Sequence, residues 1–405
     1  MKYLIYIRVL LLLTLIPATM DMQAQPSAGE EILPGATQID QYMRLIQDKA
    51  VAIFANQTST VGNEHLIDFL IGKGVRIKKI FAPEHGFRGT AGAGDKIANT
   101  RDPETGIRIV SLYGKKSKPS ADDLNDIDVL LFDIQDVGVR FYTYISSLQY
   151  FMEAAIENKK PLIILDRPNP NGFYVDGPVL DRNFSSFIGM QPVPVVYGMT
   201  IGEYAQMLLG ERWLDSAATA GQDEADIRVV TCAHYTHKSH YTLPVKPSPN
   251  LPDMTAVYLY PSTCFFEGTV LSEGRGTDKP FQLFGHPLLP KNLTRFTPRR
   301  REGALNPKLL NQLCYGWDLS GTPASALKKI NGRIQLKWLL EAYRLFPDKS
   351  KFFLSNNFFN LLAGNNVLMQ QIRDGEPEAA IRASWQSELK RFKEIRKKYL
   401  LYPDF

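Results

Sequence analysis

The fold is decided at residues 80–89, which read IFAPEHGFRG. The apolar start of this stretch predicts the end of a buried strand, and Pro83 ends it because proline has no N–H to donate to a sheet. A carboxylate, an imidazole and a guanidinium follow directly, at Glu84, His85 and Arg88. In a parallel α/β sheet, the loops that leave the carboxyl ends of the strands bind ligands. We therefore expect Glu84 and His85 to belong to a functional site rather than to a solvated turn.

Alternating strands and helices surround this stretch and predict a parallel sheet that is covered on both faces. Short, continuous apolar runs are typical of strands buried on both sides, and segments of helical periodicity separate them. The predicted strands are residues 51–55, 75–82, 107–112, 129–132, 162–165 and 227–232, and the predicted helices are residues 65–71 and 143–158. A further helix is expected after Thr200, with Glu203 completing a capping box.

Polar side chains follow the predicted strands, always at the same end. They are Asn56, Glu84, Asp133, Gln135, Asp136, Asp166 and Arg167. Because the strands are expected to be parallel, these side chains should converge on one edge of the sheet. This convergence is the main residue-level argument for an active site.

A second polar stretch lies at residues 258–277. It carries Glu267, Glu273 and Arg275 among several glycines, which allow the backbone to approach a ligand closely. We interpret the dozen residues that carry these charges and glycines as a binding loop rather than as a tight turn with surface charges.

A proline-rich segment at residues 244–252 is interpreted as the crossover between two domains. After it the pattern is α+β, with aromatic residues at helical spacing and a last helix expected over residues 378–399. We therefore predict a first domain over residues 25–252 and a smaller C-terminal domain over residues 253–405.

The first 24 residues are typical of a Sec-type signal peptide. Lys2 and Arg8 form a basic start, residues 9–16 are apolar, and small and polar residues lead to a cleavage site after Ala24. No cysteine lies near that point, which argues against a lipoprotein. Elsewhere no apolar run is long enough to span a bilayer. We expect an exported, soluble protein of the periplasm.

Composition and missing motifs exclude several function classes. The chain has 405 residues and a net charge of +5 spread along its length, so no basic patch predicts nucleic-acid binding. The turn after the first strand, NQTSTVG at residues 56–62, lacks the Gly-x-Gly-x-x-Gly fingerprint, and no P-loop is present, so we expect no nucleotide cofactor. Three cysteines leave either one disulfide or buried free thiols open.

The motifs of nucleophilic hydrolases and zinc enzymes are also missing. There is no Gly-x-Ser-x-Gly elbow and no His-Glu-x-x-His sequence. The histidines at 234, 237 and 240 have a spacing that could hold zinc, but we interpret them as loop surface and expect no metal.

Carboxylate chemistry fits the remaining residues best. Glycoside hydrolysis needs a general acid beside the leaving oxygen and a second group that stabilises or attacks the anomeric carbon. Glu84 follows an apolar strand, a position that suits a partly buried general acid. The second carboxylate stays open among four residues: Asp133, Asp136, Glu267 and Glu273.

Long motifs are spread along nearly the whole chain. They are NQT at 56–58, APEHGFRG at 82–89, FDIQDVGVRFYTY at 132–144, DRPNP at 166–170, SEGRGT at 272–277 and YLLY at 399–402. Together they resemble the exo-acting β-N-acetylmuramidases of the NamZ type. The resemblance implies a Rossmann-like N-terminal domain, a smaller C-terminal domain and an active site in the cleft between them. It also implies release of N-acetylmuramic acid from the non-reducing end of peptidoglycan fragments, in cell-wall turnover and recycling.

The resemblance maps the family's catalytic glutamate onto Glu84, with His85 beside it. N-acetylmuramic acid carries a 2-acetamido group, and in some glycosidases such a group takes the place of the protein nucleophile. We expect that route here, with Asp133 or Asp136 orienting the acetamido group.

The lactyl carboxylate of N-acetylmuramic acid calls for a cationic partner, and arginine binds carboxylates bidentately. The candidates are Arg140, Arg167 and Arg275, of which Arg275 is preferred because glycines flank it. Further substrate contacts are expected from Asn56, Arg88, Gln135, Glu267 and Glu273, with Tyr142 and Tyr197 as sugar platforms. The alternatives are an exported, non-catalytic saccharide-binding protein and a β-N-acetylglucosaminidase.

Overall fold

The computed structural model describes residues 30–84, 86–87, 100–114 and 116–405. The predicted signal peptide lies outside the described residues, as do His85 and Arg88. The described residues from Glu31 to Phe405 form one compact unit.

Strands and helices alternate through the first two thirds of the chain. Strands β1 to β14 span, in order, Ala50–Ala55, Thr60–Val61, Glu64–His65, Arg76–Ala82, Thr100–Arg101, Arg108–Ser111, Val129–Asp133, Leu162–Leu165, Asp176–Val179, Pro194–Val196, Ile227–Val230, Leu283–His286, Thr294–Phe296 and Cys314–Asp318. Helices α1 to α13 span, in order, Ile39–Ile46, Leu66–Gly72, Ala121–Leu124, Tyr144–Glu157, Ile201–Gly210, Ser216–Gly221, Met254–Thr263, Pro323–Ile330, Leu336–Leu345, Phe358–Ala363, Val367–Arg373, Glu378–Ser384 and Gln386–Arg396. Among the described residues, no helix has both the length and the apolar composition that crossing a membrane requires.

A seven-stranded sheet with the order β11-β8-β7-β1-β4-β6-β5 forms the centre of the molecule. Its neighbouring strands pair in parallel, except for the antiparallel pair β5 and β6. The chain runs outward from β1 to β4 and β6 and then returns to β7 on the other side of β1. Open α/β sheets bind ligands in the crevice beside such a reversal. The predicted parallel α/β sheet is confirmed.

Strand β1 explains why the predicted strands are apolar throughout. Val51 and Ile53 face the core that helices α1 and α2 complete, whereas Ala52 and Phe54 face the core that α4 completes. Successive side chains of a strand point to opposite faces, so a sheet covered on both faces needs apolar residues at every position. Phe54 also stacks on Phe132 of β7, with ring centroids 4.9 Å apart.

The predicted helix start at Thr200 is also confirmed. The hydroxyl oxygen of Thr200 accepts from the backbone N–H of Glu203, and the Glu203 carboxylate accepts from the backbone N–H of Thr200 at 2.9 Å. These two bonds satisfy backbone donors that the first turn of α5 would leave unpaired.

The C-terminal region is smaller and α+β, as expected. It contains an antiparallel sheet with the order β12-β14-β13 and the helices α8 to α13. The single last helix expected over residues 378–399 is wrong, because the buried Trp385 (φ −106°, ψ 1°) separates α12 from α13. A 3-10 turn, Lys397–Tyr399, follows α13.

The first part of the polar stretch at residues 258–277 is helical. Residues up to Thr263 belong to helix α7, which begins at the N-cap Asp253 and contains Pro261. Every residue of α7 is buried, so the helix has no exposed polar face and shows no amphipathic period. Helix α7 contributes Tyr260 to the cavity described below, and the 3-10 turn Cys264–Gly268 and the loop after it contribute Glu267, Glu273 and Arg275.

The three cysteines are free thiols, and all of them are buried. Burial raises the pKa of the Cys314 thiol to about 12. Of the two arrangements that the sequence leaves open, the structure has the buried free thiols.

Candidate active site

A cavity of about 530 Å³ opens at the carboxyl ends of β4 and β6. Residues of the sheet region and of the C-terminal region line it together. Its polar lining includes Glu84, Tyr113, Ser248, Asn250, Glu267, Glu273, Arg275 and Lys308, and its aromatic lining includes Phe141, Tyr142, Tyr144, Phe187, Tyr260, Phe281 and Phe358. Its volume lies within the range of small-molecule sites, and the combination of aromatic walls with a few polar groups is typical of them.

Glu84 enters this cavity from the loop after β4, and Tyr113 enters it from the loop after β6. The Tyr113 hydroxyl donates to Oε1 of Glu84 at 2.8 Å. Glu84 is half-buried, so its carboxyl group is neither sealed in the core nor free in solvent. A carboxyl group held in this way can exchange a proton with a ligand in the cavity.

Tyr142 and Tyr144 form one wall of the cavity, and their hydroxyl groups have fixed roles. Oδ1 of Asn56 accepts from the backbone N–H of Thr58 at 2.9 Å, so the Asn56 amide nitrogen donates to the Tyr144 hydroxyl at 2.8 Å. The Tyr142 hydroxyl donates to the carbonyl oxygen of Pro247 at 2.8 Å. Burial raises the pKa of both tyrosines, which keeps them neutral.

The opposite wall carries four charged residues, which we call the cavity charge cluster: Glu267, Glu273, Arg275 and Lys308. Arg275 pairs through Nη2 with Glu267, and its Nε lies 3.3 Å from Oε1 of Glu273. Lys308 Nζ lies 2.8 Å from Oε2 of Glu273. Burial alone would raise the pKa of Glu273, but Lys308 and Arg275 outweigh it and hold that pKa below its usual range.

The glycines beside Arg275 allow a backbone conformation that other residues seldom adopt. Gly274 and Gly276 have φ of +82° and +80°, a region that residues with a Cβ seldom adopt. A Cβ at Gly274 would lie 2.7 Å from the carbonyl oxygen of Lys279. The tight backbone brings Arg275 over the ring of Phe281, at 5.1 Å from its centroid.

The polar residues that follow β1, β7 and β8 do converge, but on one another. Asp133 and Arg167 form a buried bidentate ion pair with N–O distances of 2.6 and 2.8 Å. Arg167 also donates to the carbonyl oxygen of Thr60, and Ser59 donates to that of Asp133. We call Asn56, Ser59, Thr60, Asp133 and Arg167 the strand-end network. Neither Asp133 nor Arg167 lines the cavity, and their polar groups bind each other instead.

Asp136, Gln135 and Tyr197 lie in the same buried layer and are not brought to the cavity either. Asp136 accepts from the backbone N–H of Gly138 at 2.6 Å and from the Tyr197 hydroxyl. Burial raises the pKa of Asp136 to about 6. Gln135 donates to the carbonyl oxygens of Asp136 and Pro168, and the Tyr197 side chain is fully buried.

Arg140 is another predicted substrate contact that lies outside the cavity lining. Its buried guanidinium donates to the carbonyl oxygens of Pro178, Val193 and Leu362 at 2.7 to 2.9 Å. Burial lowers the pKa of Arg140 to about 9. Arg140 thus ties the segments around β9 and β10 to helix α10.

The predicted histidine cluster does not form a unit. His237 is fully buried, with Nε2 at 3.0 Å from Glu203 and Nδ1 at 3.1 Å from the carbonyl oxygen of Gly172. His240 instead packs against the ring of Phe173. The interpretation as loop surface is therefore wrong for His237. In the part of the chain that the structure describes, no three His, Cys, Asp or Glu side chains are arranged to hold a metal ion.

Sequence reasoning missed several lining residues, notably Tyr113, Tyr144, Tyr260 and Lys308. Tyr113 follows a predicted strand at the same end as Glu84, and this position is the signal in the sequence that points to it. Tyr144 is the last residue of the motif FDIQDVGVRFYTY at residues 132–144. Lys308 lies in a loop without any motif, and no signal in the sequence points to it.

Two family models cover nearly all of the described chain. The model "Exo-beta-N-acetylmuramidase NamZ, N-terminal" matches residues 51–255, and the model "Exo-beta-N-acetylmuramidase NamZ, C-terminal" matches residues 258–402. Glu84 lies in the first match, and the cavity charge cluster lies in the second.

Individual relatives agree with the family models. The peptidoglycan beta-N-acetylmuramidase NamZ of Bacillus subtilis (strain 168) is 35% identical over 409 residues, which cover 96% of each chain. A crystal structure of a DUF1343 family protein from Bacteroides fragilis NCTC 9343 is similar with a TM-score of 0.84 and 45% identity, covering 93% of this chain and 100% of that one. A second such protein of the same organism gives 0.75 and 28%, covering 92% and 99%.

Proposed function

The chain belongs to the NamZ family of exo-β-N-acetylmuramidases, a glycosidase family, and from this premise we propose that it releases N-acetylmuramic acid from the non-reducing ends of peptidoglycan fragments. The proposal is supported by a cavity large enough for one or two sugar units. Exo action needs a site that receives a chain end, and residues from both halves of the protein surround this cavity.

We propose Glu84 as the general acid and base, and one observation carries that role. Glu84 presents a carboxyl group to the cavity while Tyr113 holds its Oε1 at 2.8 Å. The carboxyl group of Glu84 delivers a proton to the glycosidic oxygen as the bond to C1 breaks. The carboxylate that results accepts the Tyr113 hydrogen bond and later takes a proton from the attacking water.

The 2-acetamido group of the substrate serves as the nucleophile in this proposal. Its carbonyl oxygen attacks C1 as the leaving group departs, and water then opens the cyclic intermediate to give free N-acetylmuramic acid. Asp133 and Asp136 are committed to the buried layer, so they are not assigned the task of orienting the acetamido group. Of the four candidate second carboxylates, Glu267 and Glu273 line the cavity.

The cellular setting is also a proposal. We propose that residues 1–24 direct export to the periplasm, where the enzyme acts in cell-wall turnover and recycling. Residues 25–252 then form the catalytic domain and residues 253–405 an auxiliary one. The second of these supplies Glu267, Arg275 and Lys308 to the cavity, so it takes part in substrate binding.

Replacing Glu84 tests the function. We expect Glu84→Gln to lower kcat on a disaccharide with non-reducing N-acetylmuramic acid by about 10²- to 10⁴-fold, the usual contribution of general acid–base catalysis. Binding of N-acetylmuramic acid, measured by calorimetry, should change little because glutamine has the same shape. The control is Glu341→Gln, which makes the same change on an exposed position of α9 and should leave both quantities unaltered.

Other outcomes separate the alternatives. Sugar binding without turnover by the wild-type protein indicates a saccharide-binding protein. Equal turnover of substrates with and without the lactyl group indicates a β-N-acetylglucosaminidase. Unchanged turnover by Glu84→Gln would show that Glu84 is not the acid.

A further inference from the structure

The cavity charge cluster is electrically neutral, which bears on how the cavity can accept an anionic sugar. Two glutamates face one arginine and one lysine, and Arg275 contacts both glutamates. A further carboxylate that entered this arrangement would find no uncommitted cation within the cluster. A bidentate contact with a guanidinium uses Nη2 together with either Nη1 or Nε, so an incoming carboxylate competes with Glu267 for Nη2 of Arg275.

The two glutamates are held very unequally. The Glu273 side chain is 3% exposed and contacts both Arg275 and Lys308. The Glu267 side chain is 19% exposed and pairs with Arg275 through Oε1, and among the described residues its Oε2 has the Cys264 thiol as its hydrogen-bond partner, at 3.6 Å. Glu267 is therefore the carboxylate that can exchange.

Arg275 itself stays in place when Glu267 leaves. Its Nε remains 3.3 Å from Glu273, and its guanidinium packs over the ring of Phe281. Lys308 keeps Glu273 in position, because its ammonium group also donates to the carbonyl oxygens of Phe266 and Thr269 at 2.7 and 3.1 Å. The exchange thus replaces one carboxylate on Arg275 by another and leaves the rest of the cluster intact.

We propose that the lactyl carboxylate of the substrate replaces Glu267 on Arg275 and so frees Glu267 to accept a hydrogen bond from the 2-acetamido N–H. This proposal rests on the function proposed above and adds the source of its specificity. A sugar without the lactyl group leaves Glu267 paired with Arg275, so its acetamido group is not oriented and its turnover is slow. Discrimination then lies in kcat as well as in binding.

The test is the sign of a binding change. In Glu267→Gln, Arg275 has lost the negative charge of Glu267, so the lactyl carboxylate no longer has to displace it. We therefore expect N-acetylmuramic acid to bind about tenfold more tightly. Binding of N-acetylglucosamine, which has no carboxylate, should be unchanged. At the same time kcat on a β-N-acetylmuraminide should fall, because the orienting carboxylate is gone. Calorimetry with the two free sugars gives the affinities without any turnover.

Two further variants of the chain complete the experiment. Arg275→Lys should weaken binding of N-acetylmuramic acid and spare that of N-acetylglucosamine, since lysine cannot form the bidentate contact. Glu341→Gln, with the same charge change on α9, should alter neither affinity. Thermal unfolding of each variant checks that it is folded.

The contrary results are distinct. Weaker or unchanged binding of N-acetylmuramic acid by folded Glu267→Gln overturns the exchange, because Glu267 would then be a fixed support for Arg275. Wild-type protein that neither binds N-acetylmuramic acid nor cleaves its glycosides overturns the proposed function and the exchange together.

Discussion

The strand-end network and the cavity charge cluster each contain an arginine paired with a carboxylate, but the two pairs differ in what surrounds them. In the network, the side chains of Asp133 and Arg167 are 0% and 2% exposed and satisfy each other bidentately. In the cluster, Glu267 and Arg275 are each about one fifth exposed and face a cavity. The comparison teaches that convergence of polar residues at a sheet edge does not by itself make a site. Residues whose bonds are complete within the protein support the fold, and those that face a cavity can exchange partners.

The largest effect is expected from Asp133→Asn, a change in the strand-end network that should lower stability. The change leaves Arg167 buried without its countercharge, so the free energy of unfolding should fall by about 3 to 5 kcal/mol. Urea unfolding measures this directly. The control is Asp223→Asn, which breaks the exposed pair with Arg212 and should cost about 1 kcal/mol or less.

A stable but inactive Asp133→Asn protein would contradict the division into two regions. It would mean that Asp133 acts on the substrate and that its pairing with Arg167 contributes little to the fold.

The pH dependence of stability tests the buried layer below the cavity. The pKa of Asp136 is raised from 3.8 to about 6, chiefly by burial, so the native state holds this proton more tightly than the unfolded chain does. Asp136 therefore favours the folded state most below about pH 4, and that contribution is lost as the pH rises through about 6, by about 3 kcal/mol in all. Asp136→Asn cannot titrate. The loss of unfolding free energy that Asp136 causes between pH 4.5 and pH 7 should accordingly be absent from the variant, which should therefore be less destabilised than the wild type by this rise in pH.

An unchanged difference between the two pH values would place the titration elsewhere. The buried Asp166, whose pKa is also raised to about 6 by burial, would be the next residue to replace.

The smallest effect is expected from a variant in the cavity, which should change activity and leave stability unaltered. Tyr113→Phe removes the hydrogen bond to Glu84, which is worth about 1.5 to 3 kcal/mol when one partner is charged. We expect kcat/KM to fall by about ten- to a hundredfold while the unfolding free energy changes little. Tyr343→Phe removes a hydroxyl from α9 and serves as the control for both measurements. A loss of stability without a loss of turnover would assign Tyr113 to the fold instead.

Much of the fold was predictable, because buried parallel strands must be apolar at every position and therefore stand out in the sequence. Strands β1, β4, β7 and β8 lie where they were expected. Helix α7 was missed for the same physical reason, since burial on all sides removes the periodicity by which helices are recognised.

The site was predictable only in part. The position of Glu84 after an apolar strand pointed to the cavity, and so did the glycines around Arg275. Which polar residues pair with each other depends on side-chain geometry across distant segments, so the sequence did not reveal that Asp133 and Arg167 satisfy each other. Lys308 reaches Glu273 from a loop with no pattern of its own.

The most direct measurement of the central claim compares two leaving groups on the Glu84→Gln protein. A nitrophenolate leaves readily without protonation, whereas the oxygen of a second sugar needs a proton from a general acid. If Glu84 supplies that proton, kcat/KM should fall at least about tenfold more for a disaccharide with non-reducing N-acetylmuramic acid than for the nitrophenyl glycoside. Equal losses for both substrates would contradict the account, because Glu84 would then not deliver the proton to the departing oxygen.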